Sequence, residues 1–376
     1  MVINMRDSST RSFNTVTPSR GGRGGYDRGG YGHGGNGHGG YDRGRKRRQK
    51  NIITIALIAI LAIVAVFAVL IILEITDCGG DNGGDVTGIG AKFNDVTFNE
   101  NNMRETSKIH EGELILINSS YHYIFPEQAP TFKPTYGNRP IVGKSPTSGR
   151  DIYPYYTQTA QNCAQFDAVM LEAFNKMTSD FYSATGNYDL YIHDEDGYRT
   201  YDEQASKNSA KPSYYAPAGQ SEHHTGMCTD LYYQVTSNDP VKSIDDPDVK
   251  DIYQWIYDNA YKYGFILRYP EDKANVTGVT YEPYHFRYVG YAHAYYMEQN
   301  DLCLEEYLDL LAANHTKDKA LYFEGDNGNY YMVYYVLSSG EYTNVPVAEE
   351  SANVVCTVSG DNKSGFIVTV EKKDGE

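Results

Sequence analysis

Hydrophobic positions follow three different patterns along the chain. From Ile52 to Leu73 there are 22 consecutive residues, all apolar except Thr54. At about 1.5 Å per residue, such a run reaches about 33 Å as a helix, enough to cross a bilayer core of about 30 Å. It has no polar face, so it does not read as a buried core helix. The second pattern starts near Glu113 and is mixed. Leu114-Ile115-Leu116-Ile117 reads as a buried strand. Residues from about 160 to 178 carry a helical period, with Phe166, Val169, Met170, Ala173 and Met177 on one face. Tyr188 to Ile192 predicts a short strand and Asp248 to Tyr263 a helix. Phe265-Ile266-Leu267 and Tyr281 to Val289 predict strands, and Leu304 to Ala313 a short amphipathic helix. From about residue 320 the runs are β-rich, notably Tyr330 to Leu337, Asn353 to Val358 and Phe366 to Val370. Gly, Asn and Asp turns separate them.

Charge sharpens this division. Residues 1–50 hold 11 Lys/Arg and 3 Asp/Glu, a balance of +8. The remaining 22 Lys/Arg and 46 Asp/Glu give −24, and the two parts make the overall −16. Arg43, Arg45, Lys46, Arg47, Arg48 and Lys50 precede the apolar run, whereas Glu74 and Asp77 follow it. The positive-inside rule then places the N-terminus in the cytoplasm and the acidic body outside a cell membrane crossed once, through residues 52–73. A cleaved signal peptide fits poorly, because the basic region starts deep in the chain and the apolar run is long. The expected order is a disordered Gly/Arg/Tyr-rich cytoplasmic tail (1–50), a transmembrane helix (51–74) and an extracellular linker (75–110). A main domain (111–315) and a β-rich C-terminal appendage (316–376) follow. In the tail, Gly-Gly-Tyr-Asp-Arg-Gly occurs at 24–29 and again at 39–44. An acidic body is a poor nucleic-acid ligand, so no nucleic acid is expected as a partner. Five Cys in 376 residues do not form a disulfide scaffold, although Cys163, Cys303 and Cys356 leave a single bridge open.

Chemistry-bearing residues concentrate in two segments, Ser221-Glu222-His223-His224-Thr225-Gly226-Met227-Cys228-Thr229-Asp230 and Tyr281-Glu282-Pro283-Tyr284-His285-Phe286-Arg287. Hydrolytic zinc takes three His or carboxylate ligands and keeps one position for water. His223, Asp230 and His285 supply such a set. Glu282, three residues before His285, supplies a carboxylate able to take a proton from water and pass it to a leaving amine. On spacing alone, satisfied structural histidines remain an alternative. His-Glu-x-x-His, Ser-x-x-Lys and Gly-x-Ser-x-Gly are all missing from the chain, which leaves thermolysin-like zinc chemistry and the usual serine hydrolases without support.

The first segment resembles the Ser-x-His-x-x-Gly-x-Ala-x-Asp signature of D-alanyl-D-alanine carboxypeptidases of the VanY type. The second resembles that family's Glu-x-Trp-His motif. A third, Gly197-Tyr198-Arg199-Thr200-Tyr201-Asp202-Glu203-Gln204, is similar to its Gly-Tyr-Arg-Ser…Gln element. The resemblance covers roughly 111–310. It implies an α+β zinc carboxypeptidase domain with helices packed on a small antiparallel sheet, and Zn2+ held by His223, Asp230 and His285. It further implies Glu282 as the catalytic base, and Arg199 and Gln204, with Ser221 nearby, around the substrate's terminal carboxylate. The implied activity is removal of the terminal D-Ala from peptidoglycan stem peptides outside the cell. An L,D-carboxypeptidase acting on tetrapeptide stems and a non-catalytic, zinc-containing wall-binding protein are the rivals.

Three positions depart from the family pattern. Cys228 stands where Ala is usual and is expected to be a small buried hydrophobe, since a fourth protein ligand would close the water position. Tyr284 replaces Trp, and Thr200 replaces Ser. His224 reads as an exposed or supporting neighbour of His223, and Arg287 as either a substrate ligand or a brace. His110, His122, His193, His293 and His315 read as ordinary surface histidines.

Overall fold

The computed structural model describes residues 88–374, apart from 129, 158–161 and 237. The tail, the 52–73 span and the first part of the linker expected from sequence lie outside the described residues. Among the described residues no helix is long and apolar enough to cross a membrane.

Strand β1 (Tyr155–Thr157) leads to helix α1 (Ala168–Thr185). The Asp167 carboxylate caps this helix by accepting from the Val169 amide at 2.8 Å. Gly186, at φ 73°, ends it. Met170, Leu171, Phe174, Met177 and Phe181 form its buried face. Helical periodicity predicts an earlier start. The real start at Ala168 leaves Phe166 in a short strand and Val169 59% exposed in the first turn. Strand β2 (Leu190–Ile192) follows, then α2 (Tyr201–Ala210), opened by a reciprocal cap. Thr200 Oγ1 accepts from the Glu203 amide at 3.2 Å, and the Glu203 carboxylate accepts from the Thr200 amide at 2.8 Å. That cap fixes Arg199 just ahead of the helix and Gln204 in its first turn.

Strands β3 (Cys228–Asp230), β4 (Tyr232–Tyr233) and β5 (Lys242–Ser243) precede α3 (Lys250–Asn259), β6 (Phe265–Leu267) and β7 (His285–Tyr288). One sheet has the order β5-β4-β2-β1, with β1 and β2 parallel. A second, wholly antiparallel sheet has the order β6-β7-β3. Its register pairs His285 with Asp230, Phe286 with Thr229 and Arg287 with Cys228. Because strand side chains alternate, His285, Arg287, Cys228 and Asp230 share one face. Phe286 turns the other way, into an apolar cluster with Phe174, Phe265 and Ile256. Burying such a side chain contributes about 1.5–3 kcal/mol. The apolar face thereby anchors the polar one.

Helices α4 (Tyr291–Gln299) and α5 (Leu304–Asn314) lead into β8 (Leu321–Glu324), β9 (Tyr330–Leu337), β10 (Val354–Gly360) and β11 (Gly365–Lys372). These strands form an antiparallel sheet, β8-β9-β11-β10. One face packs on α4 and α5 through Tyr331, Val333, Tyr335 and Ile367. The other is covered by Phe93, Ile109, Val345 and Ala348. Two covered faces explain why β9 and β11 read as continuous apolar runs rather than alternating ones. The end of the expected linker is part of this arrangement: Phe98–Asn99 pairs with Val347–Ala348, and Met103–Glu105 with Tyr342–Asn344.

Leu114 to Ile117 is buried as expected but forms no strand. Its backbone finds other partners. The Leu114 amide donates to Ser359 Oγ, the Leu116 amide to the Asp361 carbonyl, and the Glu113 and Ile115 carbonyls accept from Arg287. Buried backbone groups need partners, but not a ladder. Cys163, Cys228, Cys303 and Cys356 are all free, so the bridge left open by the sequence does not form among them.

Candidate active site

His223 sits in a single turn, Glu222–Thr225, that ends at Gly226 with φ 66°. A Cβ at Gly226 would lie 2.5 Å from the Phe132 ring, so both the left-handed backbone and the close approach require glycine. His223 Nδ1 donates to the Gly197 carbonyl at 2.9 Å. That bond turns Nε2 inward, 3.5 Å from Asp230 Oδ2 and 3.2 Å from Arg199 Nη2. From β7, His285 places Nδ1 2.8 Å from Asp230 Oδ1. Its Nε2 faces Glu222 Oε2 at 3.4 Å. The two imidazole rings are 5.2 Å apart and nearly perpendicular. The inward nitrogens thus flank the Asp230 carboxylate, and a carbonyl or carboxylate holds each ring from behind, as metal-binding histidines require.

Glu222 is the member that motif spacing passed over. It is fully buried, accepts from Arg268 Nε at 2.8 Å and forms an ion pair with Arg287 Nη1 at 2.9 Å. Burial opposes its charge, but Arg268 and then Arg287 outweigh it and hold the carboxyl well below the usual range. Arg268 also forks onto Glu305 at 2.8 and 2.7 Å. Arg287 is therefore a brace, not a substrate ligand: it ties Glu222 to the Glu113 and Ile115 carbonyls. The sequence signal for this network was weak, since Glu222, Arg268 and Glu305 are far apart along the chain.

A cavity of about 380 Å³ opens over the site. Arg199, Gln204, Ser221, His223, Asp230, Glu282, Tyr284 and His285 all line it, so the expected ligands, base and carboxylate-binding residues come to one place, whereas Thr200, His224, Cys228 and Arg287 are not part of its lining. Glu282 Oε2 is 3.8 Å from His285 Nδ1. Burial pushes its carboxyl up, partly offset by His285. Arg199 Nη1 donates to Gln204 Oε1 at 3.1 Å, and Gln204 Nε2 to the Ala216 carbonyl at 2.7 Å, which links guanidinium and amide along one wall. Tyr284 stacks on Tyr232 at 5.5 Å and keeps an aromatic wall. His224 is not exposed. It is buried beside the cavity, with Nδ1 on the Arg199 carbonyl at 2.7 Å and Nε2 accepting from the Gly219 amide at 3.0 Å.

The donor set fits a divalent cation. Burial disfavours a charged imidazole, yet Cys228 and Asp230 outweigh it and raise His285 well above its ordinary range. Burial likewise opposes Asp230, but His223 and His285 lower it. The pocket therefore attracts positive charge, which a metal ion satisfies in place of protons. Cys228 also belongs to this cluster: its sulfur and nitrogens of His223 and His285 lie within 4.8 Å of one another.

Residues 164–291 match the sequence family described as VanY, D-alanyl-D-alanine carboxypeptidase. A D-alanyl-D-alanine carboxypeptidase of Enterococcus faecium is 33% identical over 275 residues, 72% of this chain and 80% of that protein. The bifunctional D-Ala-D-Ala dipeptidase and carboxypeptidase VanXYC of Enterococcus gallinarum is 38% identical over 128 residues, 31% of this chain and 66% of that protein. The vancomycin-resistance D,D-dipeptidase VanXYg, solved with a D-Ala-D-Ala phosphinate analogue, aligns with a TM-score of 0.57 at 24% identity. It covers 73% of this chain and 100% of its own, and shares the fold.

Proposed function

The chain belongs to the VanY family of D-alanyl-D-alanine carboxypeptidases, and we propose that it uses zinc to remove the terminal D-Ala from peptidoglycan stem peptides outside the cell, anchored through residues 52–73. The observation that carries the reading is the convergence of His223, Asp230, His285 and Glu282 on the cavity that also holds Arg199, Gln204 and Ser221.

His223, Asp230 and His285 would hold the ion. Zinc bound there polarises a carbonyl and acidifies water. The protein's own residues do the rest. Arg199, a planar fork of donors, binds the terminal carboxylate, with Gln204 and Ser221 beside it. That clamp fixes which peptide bond lies beside Glu282. Glu282 takes the proton from the attacking water and delivers it to the departing D-Ala amine. Its burial favours a carboxyl able to both accept and return a proton. Glu222 holds the His285 ring through Nε2, so that Nδ1 faces Asp230. Tyr284, stacked on Tyr232, forms the wall along which the stem lies.

The test is product mass from pentapeptide and tetrapeptide stems incubated side by side with the full-length protein, with and without chelator. Release of one D-Ala from the pentapeptide, lost with chelator and restored by zinc, is the expected result. Release from the tetrapeptide alone moves the assignment to an L,D-carboxypeptidase. Stoichiometric muropeptide binding with no product from either stem overturns it in favour of a wall-binding protein. Protease accessibility of the body on intact cells tests the orientation.

A further inference from the structure

The residue that departs furthest from its expected role is Cys228. As a small hydrophobe it should pack among aliphatic or aromatic side chains, yet it belongs to none of the three apolar clusters. It is completely buried, and its neighbours are two imidazoles. The reason is strand geometry. Cys228 lies two residues before Asp230 on β3, so both side chains leave the same face toward His285 across the strand pair. The thiol sulfur and nitrogens of His223 and His285 all lie within 4.8 Å of one another. Donors around one four-coordinate ion stand about 3.3–3.6 Å apart, given bond lengths of about 2.0–2.3 Å. Contraction by at most about 1.5 Å therefore brings the thiol and both imidazoles onto one ion.

The side from which the sulfur approaches matters. His223, Asp230, His285 and Glu282 line the open cavity, and Cys228 does not. The thiol thus comes from the buried side, whereas water and substrate come from the cavity side. With Cys228 as a fourth protein donor, water enters as a fifth ligand, the coordination number to which catalytic zinc expands, and needs a position of its own. Here the two positions are on opposite sides.

We propose that Cys228 is a fourth protein donor to the catalytic metal, approaching from beneath the His223–Asp230–His285 set. The proposal rests on the zinc reading given above. A thiolate is a soft donor, so the site selects zinc, cobalt or cadmium over magnesium or manganese more sharply than an Ala-containing site would. It also retains its metal longer against a chelator. In exchange, the ion becomes a weaker Lewis acid, because the sulfur donates charge to it. It also acquires one ligand that peroxide can oxidise.

Cobalt substitution reads the sulfur directly. The full-length protein is loaded with Co(II), its metal content measured, and its near-ultraviolet spectrum compared with Cys228→Ala and Cys228→Ser. The expected result is one cobalt per chain in all three proteins, a sulfur-to-cobalt charge-transfer band in the natural sequence only, and faster cobalt loss to chelator in both variants. One bound cobalt with no such band in the natural sequence overturns the proposal and leaves the three-ligand site standing. A band that persists in Cys228→Ala assigns it to another thiol and also overturns it. Failure of the natural protein to bind cobalt or zinc at all overturns the zinc reading itself. If Cys228→Ala does not fold, Cys228→Ser makes the same comparison.

Discussion

Two fully buried histidines, eight residues apart in sequence, behave in opposite ways. His285 faces Glu222, Cys228 and Asp230, and the last two raise its pKa well above normal despite its burial. His293, on α4, faces no acid. Its Nδ1 meets the Tyr307 hydroxyl at 2.8 Å and its Nε2 the Thr369 hydroxyl at 3.0 Å. Burial alone pushes its pKa down to about 3. One region of the molecule concentrates paired charges around a cavity. The other, the seam between α4, α5 and the C-terminal sheet, uses the same side chain as a neutral bridge between hydroxyls. Burial does not set the role of a histidine; its partners do.

The largest effect separating these regions should be on turnover. Glu282→Gln removes the proton carrier in the cavity and is expected to lower kcat about 10²–10⁴-fold with metal retained. His293→Leu should leave kcat for the folded enzyme unchanged. Steady-state kinetics with metal analysis on both variants checks the contrast, and equal losses would break it.

Stability comes next. Glu222→Ala leaves Arg268 and Arg287 buried without their shared carboxylate, which is expected to cost about 3–5 kcal/mol. Zinc affinity should fall about 10–100-fold, because His285 loses its support. Denaturant unfolding and zinc titration measure the two separately. Full zinc affinity in a folded Glu222→Ala protein would remove Glu222 from the account of the site.

The smallest effect lies in the seam. His293→Leu strands two hydroxyls and should cost about 1–3 kcal/mol near neutral pH. Its pH dependence is more telling. The native imidazole titrates near 3 and the unfolded one near 6.5, so between those values the unfolded chain binds the extra proton. Stability is full above about pH 6.5 and falls as pH drops toward 3. His293→Leu should lack this component, so its melting temperature should fall less steeply over that window than that of the natural sequence.

Much of the site was legible because its chemistry is local. The ten residues from Ser221 to Asp230 carry two candidate ligands, and Glu282 and His285 sit three apart, so short spacing suggested metal and base beside the alternative of structural histidines. Arg199 and Gln204 were legible only through the resemblance of their segment to the family's Gly-Tyr-Arg-Ser…Gln element; the helix cap that orders both emerged from the structure. The seam was not. His293 read as a surface residue because nothing near it in sequence announces Tyr307 or Thr369. The run from Leu114 to Ile117 read as a strand because apolar patterning records burial, not how backbone groups are satisfied. Similarly, the end of the linker looked unstructured, since its pairing partners lie some 240 residues further on.

The amino-acid sequence by itself determined the β-rich C-terminal runs, the helical periods and the donor types available for metal and proton transfer, because these depend on neighbours a few residues apart. Only the tertiary structure decided that His285 stands opposite Asp230, that Glu222 braces it, and that Cys228 turns toward the imidazoles instead of an apolar core. Strand register is set by packing between segments 55 residues apart. A shift of one residue would turn each of these side chains to the opposite face.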